Sequence, residues 1–330
     1  MLKIALISDE LTYDSLKAED NVTVYNVTPL NYKVVLKFLK PDFLFVESAW
    51  HGYKNRWKYK IASYPDVPKR NNKKLKKVVH YAKKFNVPTI FWNKEDGVHF
   101  ERFIDSAKFF DHIFTVDANC IEKYKAVVPK KTTVNPLMFA VQEKFHYFDG
   151  FHIKYNSVNF VGSYSTHIHS KRRMWQDMMF SSTQETGMNL VVFDRNSNRK
   201  SHNYRYPKLK NIKVKNAISY KKTAEIYKKY LLSLNVNTIE NSPTMVSRRL
   251  LEIIACGGVA ITNSSQAVDN YFKEYCYIVQ NKEDMIKLLT YFQNGLQEED
   301  YQKLRAGAKY IAKYHTWKHR IQEIKDVIGI

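Results

Sequence analysis

The densest run of chemistry-bearing residues lies between positions 234 and 258, and includes Ser242-Pro243-Thr244, Arg248-Arg249, Glu252 and Cys256-Gly257-Gly258. The apolar residues up to Asn237 read as a strand, Ser242-Pro243-Thr244 as a loop, and 246–255 as a helix. Ser242 or Thr244 can cap that helix, and Pro243 suits its first turn. A helix N-terminus offers free N–H groups and the positive end of a dipole, which together hold an anion such as a diphosphate. Arg248 and Arg249 lie one turn in, where guanidinium groups can neutralise phosphate oxygens. Glu252 follows Arg248 by four residues, so it shares its face and can accept hydrogen bonds from ribose hydroxyls. The paired glycines permit a left-handed cap and close packing against the next strand. Each feature also has a plain structural use, as an intrahelical ion pair or an ordinary cap. Their coincidence in one segment points to a nucleoside diphosphate.

Other polar residues fall just after predicted strands. Gly162-Ser163 forms a strand-to-loop turn that can approach phosphates, although one glycine is far less specific than a dinucleotide fingerprint. Arg195, after a buried strand, can reach a diphosphate or pair with a neighbouring acid. Asn237 closes the strand before Ser242. In the first half of the chain, Asp9, Glu10, Glu47, Glu95 and Asp96 are the candidates for a catalytic base, with His51 and His99 behind them. Capping and loop ordering are the competing uses of these acids. His167 and His169 lack a nearby carboxylate, and Asp194-Arg195-Asn196 is not an Asp-X-Asp metal motif. Arginines and a helix dipole can meet the donor phosphates, so no metal and no further cofactor is expected. No glycine-rich loop ending in Lys-Ser/Thr occurs, which argues against an NTPase.

These residues need a scaffold that gathers strand ends. Short apolar runs at 3–8, 22–25, 41–47, 87–92, 112–116 and 134–138 alternate with helical patterns at 32–39, 72–85, 100–107 and 120–125. A polar, aromatic stretch follows, and the alternation restarts. Strands are expected at 157–162, 190–194, 212–214, 232–237, 259–262 and 277–279, and helices at 171–180, 220–230, 246–255, 267–272, 283–294, 298–314 and 316–328. This predicts two Rossmann-like, doubly wound α/β domains with parallel sheets facing a cleft. The expected division is an acceptor domain at 1–145, a connector at 146–156, a donor domain at 157–315, and a final helix at 316–330 that returns to the first domain.

The 330 residues include 53 Lys+Arg against 32 Asp+Glu, a net charge of +21, with 44% hydrophobic residues. The hydrophobic content excludes global disorder. The charge favours polyanionic partners, although lysines accumulating on solvated surfaces give the same balance. Lys69–Lys84 is strongly basic, and Trp50, Tyr53, Trp57 and Tyr59 alternate with Lys54, Arg56, Lys58 and Lys60. Such a region suits an anionic acceptor through sugar stacking, base stacking or a membrane interface. Three cysteines, an odd number without paired spacing, fit a reducing compartment. The first residues do not form a signal peptide, and no window reaches the about 20 apolar residues of a membrane span. A cytoplasmic protein is expected, soluble or peripheral at the inner membrane face.

Arg248-Arg-Leu-Leu-Glu-Ile-Ile-Ala-Cys-Gly-Gly258 resembles the donor-binding helix of glycosyltransferases with the two-domain B-type fold, nearest the CgeB-like (spore maturation protein-like) group. Trp92-Asn-Lys-Glu-Asp96, His99-Phe100, Asp111–Asp117, Val158–Tyr164, Arg172-Arg173 and His315–Arg320 agree in order and spacing. The resemblance implies that Glu252 binds the donor ribose, Arg248 or Arg249 the pyrophosphate, and Gly162-Ser163 the phosphates. Related families carry another glutamate eight residues before the ribose-binding one; here Thr244 stands there, with Asn241 nearby. The expected activity is sugar transfer from a UDP- or GDP-linked donor to an anionic glycan, teichoic-acid-like polymer or lipid-linked glycan. DNA as acceptor, and a non-catalytic nucleic-acid-binding protein on the same fold, are the alternatives.

Overall fold

The computed structural model describes residues 1–330, which divide into two compact units. The first comprises Met1–Gln142 together with Ser242–Met245 and Trp317–Ile330; the second comprises Glu143–Asn241 and Val246–Thr316.

In chain order the first unit contains β1 (Leu2–Ile7), α1 (Glu10–Lys17), β2 (Val22–Asn26), α2 (Tyr32–Phe38), β3 (Phe43–Glu47), α3 (Lys73–Lys84), β4 (Thr89–Asn93), α4 (Phe100–Ala107), β5 (His112–Thr115), α5 (Ile121–Lys125) and β6 (Thr133–Pro136). Its six strands pair in parallel in the order β2-β1-β3-β4-β5-β6. β3 and β4 are buried at every position, which explains why their sequences are continuous apolar runs: both sheet faces are covered. The two-residue period assigns their side chains to opposite faces. Leu44, Val46 and Phe91 pack with Leu36, Val79 and Phe103 in one core. Phe43, Phe45, Ile90 and Trp92 pack with Leu16, Trp317, Ile321 and Ile324 in the other.

The second unit contains β7 (Tyr155–Gly162), α6 (Ser170–Glu185), β8 (Leu190–Asp194), β9 (Ile212–Asn216), α7 (Thr223–Lys229), β10 (Tyr230–Asn235), α8 (Arg248–Ala255), β11 (Val259–Asn263), α9 (Gln266–Tyr271), β12 (Tyr277–Val279), α10 (Lys282–Gln293) and α11 (Glu298–Tyr314). The last helix, α12 (Trp317–Ile328), belongs to the first unit. The second sheet is also parallel, in the order β12-β11-β10-β7-β8-β9. The chain therefore reverses its direction of travel between β1 and β3 in one unit and between β7 and β10 in the other. Ligands of open parallel sheets bind outside the strand ends at such reversals.

Two doubly wound parallel sheets are thus present, as the alternation of patterns predicts. Some elements differ from expectation. α1 has no counterpart in the sequence reading, because its buried positions include the hydroxyl residues Thr12 and Ser15 beside Leu16. α6 runs to Glu185, five residues past the expected Phe180. The hydroxyls of Ser181, Ser182 and Thr183 are satisfied by carbonyls of the same helix, so this polar stretch can be accommodated there. α8 begins at Arg248 rather than at 246. No helix is long and apolar enough to cross a membrane.

Candidate functional site

The reversal point of the second unit is built around Gly162, the last residue of β7. Arg249, the second residue of α8, sends its Nε proton to the Val161 carbonyl at 2.6 Å and Nη1 to Asn235 Oδ1 at 3.5 Å. Its guanidinium lies over the Phe160 ring, 4.6 Å from the centroid. A Cβ at position 162 would lie 2.7 Å from Arg249 Nη2 and 2.8 Å from that ring. Only glycine lets the arginine come this close to the strand end. The Arg195 N–H donates to the Gly162 carbonyl at 2.8 Å, and Arg195 Nη2 lies 3.3 Å from Ser163 Oγ.

A third guanidinium, Arg172 of α6, completes a cationic group. Burial and the like charges of Arg249 and Arg195 pull its pKa down to about 10. Burial also lowers the pKa of Arg249. Neither Arg172 nor Arg249 forms an ion pair. Three buried polar atoms beside these cations have no hydrogen-bond partner: Arg172 Nε, Tyr206 Oη and Gln176 Oε1. Gln176 is held in place by its other atom, Nε2, which donates to the Ser163 carbonyl at 3.1 Å. Cations that repel one another and keep unused donors are suited to receive an anion.

Glu252 lies one turn further along α8 and is buried. Its Oε1 accepts from Arg248 Nε at 2.8 Å, and Tyr227 Oη approaches Oε2 at 3.5 Å. The Arg248 guanidinium stands over the Tyr220 ring, 5.4 Å from its centroid. Behind this pair lies His146, buried with Nε2 on Thr223 Oγ1 at 2.8 Å and Nδ1 unpartnered. Burial lowers its pKa, which favours the neutral imidazole. α8 ends in a Schellman motif: the Gly257 N–H reaches Ile254 O at 2.9 Å and the Gly258 N–H reaches Ile253 O at 3.0 Å. Gly257 has φ +68°, and Phe148 packs where its Cβ would be.

Asn237 is a framework residue. Its Oδ1 accepts from the Ser247 N–H at 2.9 Å, while its Nδ2 donates to Thr262 Oγ1 at 3.0 Å. Ser242 and Thr244 do not cap α8, correcting the sequence expectation; the N-cap is Ser247, without a side-chain cap bond. Ser242 Oγ instead donates to Asp117 Oδ1 at 2.6 Å and accepts from the Met245 N–H at 2.9 Å. Thr244 Oγ1 donates to the Val116 carbonyl and accepts from the Ala118 N–H. Both hydroxyls stitch 242–245 into the first unit. Arg248 and Arg249 accordingly sit at the first two positions of α8, not a turn inside it.

Asp9 and Glu47 of the first unit meet at its own reversal point, between β1 and β3, whereas Asp96 lies across the sheet between β4 and β5. Glu47 is fully buried. It accepts from the Asp9 N–H at 2.6 Å, from Thr12 Oγ1, and from Lys94 Nζ at 2.8 Å. Asp9 accepts from the Gly52 N–H at 2.9 Å and from Lys94 at 3.3 Å. Burial would lower the Lys94 pKa, but Glu47, Asp9 and Glu95 outweigh it and hold it above the ordinary lysine value. Asp96 is fully buried and accepts from Asn93 Nδ2 and Thr115 Oγ1, both at 2.6 Å, and from Tyr124 Oη. Burial lifts it to about 7 against the pull of the Thr115 and Tyr124 hydrogen bonds. Glu95 differs from both. It is partly solvent-accessible, and burial raises its pKa despite Lys94 and a hydrogen bond from Trp50.

Sequence reasoning did not place Arg172, Gln176 or Tyr206 in a site, and missed Glu240. That carboxylate, in the loop after β10, accepts from Trp175 Nε1 at 2.7 Å and Asn263 Nδ2 at 3.3 Å. Arg172-Arg173 entered only as part of the resemblance, without a role; Tyr206, in an irregular stretch, carries no local signal and comes to Gly162 through the pairing of β7 with β8.

A family model described as glycosyl transferase-like matches residues 152–326. No curated protein matches the chain in sequence. Among solved structures, an alpha-glucosyltransferase in complex with UDP and a 13-mer DNA containing an HMU base is similar, with TM-score 0.69 and 13% identity over 100% of both chains. An Anabaena protein, HepE, in complex with UDP and glucose, gives 0.61 and 10% over 100% of both. A DNA-modifying beta-glucosyltransferase, solved with and without uridine diphosphoglucose, gives 0.56 and 12% over 100% of both. At these identities the likeness is one of fold, the B-type arrangement of two parallel six-stranded sheets.

Proposed function

The chain belongs to the glycosyl transferase-like family, and on that premise we propose that it moves a sugar from a UDP- or GDP-linked donor to an anionic or envelope-associated acceptor. The observation that carries the donor half is the group of Arg172, Arg195 and Arg249 around Gly162, with buried donors left unused. The diphosphate lies on these arginines and the Gly162-Ser163 turn. Glu252, oriented by Arg248, receives the ribose hydroxyls. The structural relatives that hold UDP favour uridine as the base. Side-chain cations neutralise the leaving diphosphate, so the reaction proceeds without a metal. Within the family, the Arg-Arg-Leu-Leu-Glu helix and the His315-Thr-Trp segment support a reading as one of the CgeB-like group.

Among the acids of the first unit, Glu95 is best suited as the base. Glu47 and Asp96 are buried with their oxygens taken, whereas Glu95 reaches solvent and has a raised pKa. It takes the proton of an acceptor hydroxyl as that oxygen bonds the anomeric carbon. The bond from that carbon to the diphosphate breaks, and the leaving charge settles on the arginines.

DNA is the second acceptor reading, favoured by the net charge of +21 and by two DNA-modifying glucosyltransferases of similar fold. The test is release of nucleoside diphosphate from UDP- and GDP-sugars, with teichoic-acid-like polymer, lipid-linked glycan or DNA added in turn. Release that is stimulated by one acceptor and lost in Arg249→Ala supports transfer and names the acceptor. Nucleic-acid binding with a steep salt dependence that survives Arg249→Ala and Glu252→Ala, without any release, would instead indicate a binding protein.

A further inference from the structure

We propose that the α2–α3 face of the first unit docks on an anionic lipid bilayer. α2 is apolar on two sides. Tyr32, Val35 and Leu36 are buried against the core, while Leu30, Val34 and Phe38 are 86%, 54% and 67% exposed. These three are four residues apart, so they form one stripe along the solvent side of the helix and its entry. Aromatic contacts join the buried side of α2 to α3, whose end carries Phe85 at 39% exposure. Tyr32 meets Tyr81 edge-on at 5.5 Å, and Tyr81 meets the exposed Phe85 at 5.0 Å. Contiguous outward apolar side chains of this size mark an interaction surface.

The rim is rich in lysine. Lys33, Lys37, Lys40, Lys77 and Lys84 are exposed and have no carboxylate partner; Lys37 and Lys74 lie over the rings of Phe38 and Tyr32. No Asp or Glu occurs from Asn21 to Pro41 or from Val67 to Lys94. The nearest acid engaged by this lysine group is Asp111, paired with Lys83.

Phosphate-rich partners of two kinds could meet such a rim, and the stripe separates them. Nucleic acid rewards cations and stacked aromatics, but two aliphatic side chains projecting among phosphates gain nothing. A bilayer interface rewards both the apolar stripe, which enters the acyl boundary, and the lysines, which meet lipid phosphates. α2 spans only Tyr32–Phe38, so insertion alone is weak and anionic lipid is required. This inference stands on the surface alone, and either it or the donor reading can fail without the other.

The test is co-sedimentation of the full chain with phosphatidylcholine vesicles, with and without phosphatidylglycerol. Binding is expected only with phosphatidylglycerol, falling as salt rises. The double variant Val34→Ser/Phe38→Ser should lose at least about tenfold, and each lysine changed to glutamine among Lys33, Lys37 and Lys40 about fivefold. All these side chains are exposed, so the melting temperature and nucleotide binding should not change. Absence of binding to the anionic vesicles, or a serine variant that binds as well as the parent, would overturn the proposal. So would duplex DNA that displaces the vesicles and binds the parent and serine variant equally.

Discussion

Arg249 and Gly162 define the centre of the second unit: a Cβ on the glycine would lie 2.7 Å from the guanidinium Nη2. The arginine is fixed by its bond to Val161 and its place over Phe160. It cannot withdraw without losing both. Gly162→Ala should therefore displace the arginine and raise the Kd for UDP about tenfold or more, with a smaller effect on stability. Calorimetric titration beside thermal melting separates the two effects; unchanged affinity would show that the close approach is only packing.

Arg172 offers a sharper separation of function from stability. Its Nε is buried without a partner, and its charge is opposed by Arg249 and Arg195. Arg172→Met should leave the ligand-free melting temperature unchanged or higher, while lowering UDP affinity about 10- to 100-fold, the usual worth of a charge-assisted hydrogen bond. A protein that melts lower and binds UDP normally would make Arg172 a framework residue.

How far the sequence reveals this site depends on whether its parts are local. Arg248, Arg249 and Glu252 share one helix, so their spacing shows their shared face. The Ser242 and Thr244 reading fails for the converse reason. Capping rules are local, but these hydroxyls are claimed by Asp117 and Val116, more than a hundred positions earlier. Arg172 comes to Gly162 on the very next helix, but which face of α6 turns to the strand end is not marked by an apolar period; Tyr206 reaches it only through the pairing of β7 with β8. The strands were legible because covered sheets demand continuous apolar runs. α1 was not, because Thr12 points inward to bond Glu47, and a buried hydroxyl hides the apolar period.

Lys94 is expected to be a stability determinant of the first unit. Its ammonium is the countercharge to the fully buried Glu47 at 2.8 Å. Lys94→Met leaves that carboxylate uncompensated, a change that typically costs about 3–5 kcal/mol. Urea unfolding should show the loss, and adding Glu47→Gln should restore part of it. Additive destabilisation in the double variant would contradict the pairing.

Asp96 carries a pH signature. Burial raises it from 3.8 to about 7, so between these values the folded chain holds a proton that the unfolded chain has released. Its protonated form contributes stability fully below about 3.8, and that contribution is lost as pH rises to about 7. Relative to Asp96→Asn, the parent should lose stability across this window. Melting temperatures that run parallel from pH 4 to 7 would refute the shift.

The central claim is that the arginine group holds a nucleoside diphosphate. The most direct measurement is a calorimetric titration of the chain with UDP and GDP, alone and as sugar conjugates, repeated with Arg249→Ala. The predicted result is saturable binding of at least one nucleotide, lost or weakened about tenfold or more in the variant. At 100 times its Kd such a ligand should add about 2.7 kcal/mol to stability. Binding of neither nucleotide, or binding indifferent to Arg249, would contradict the account.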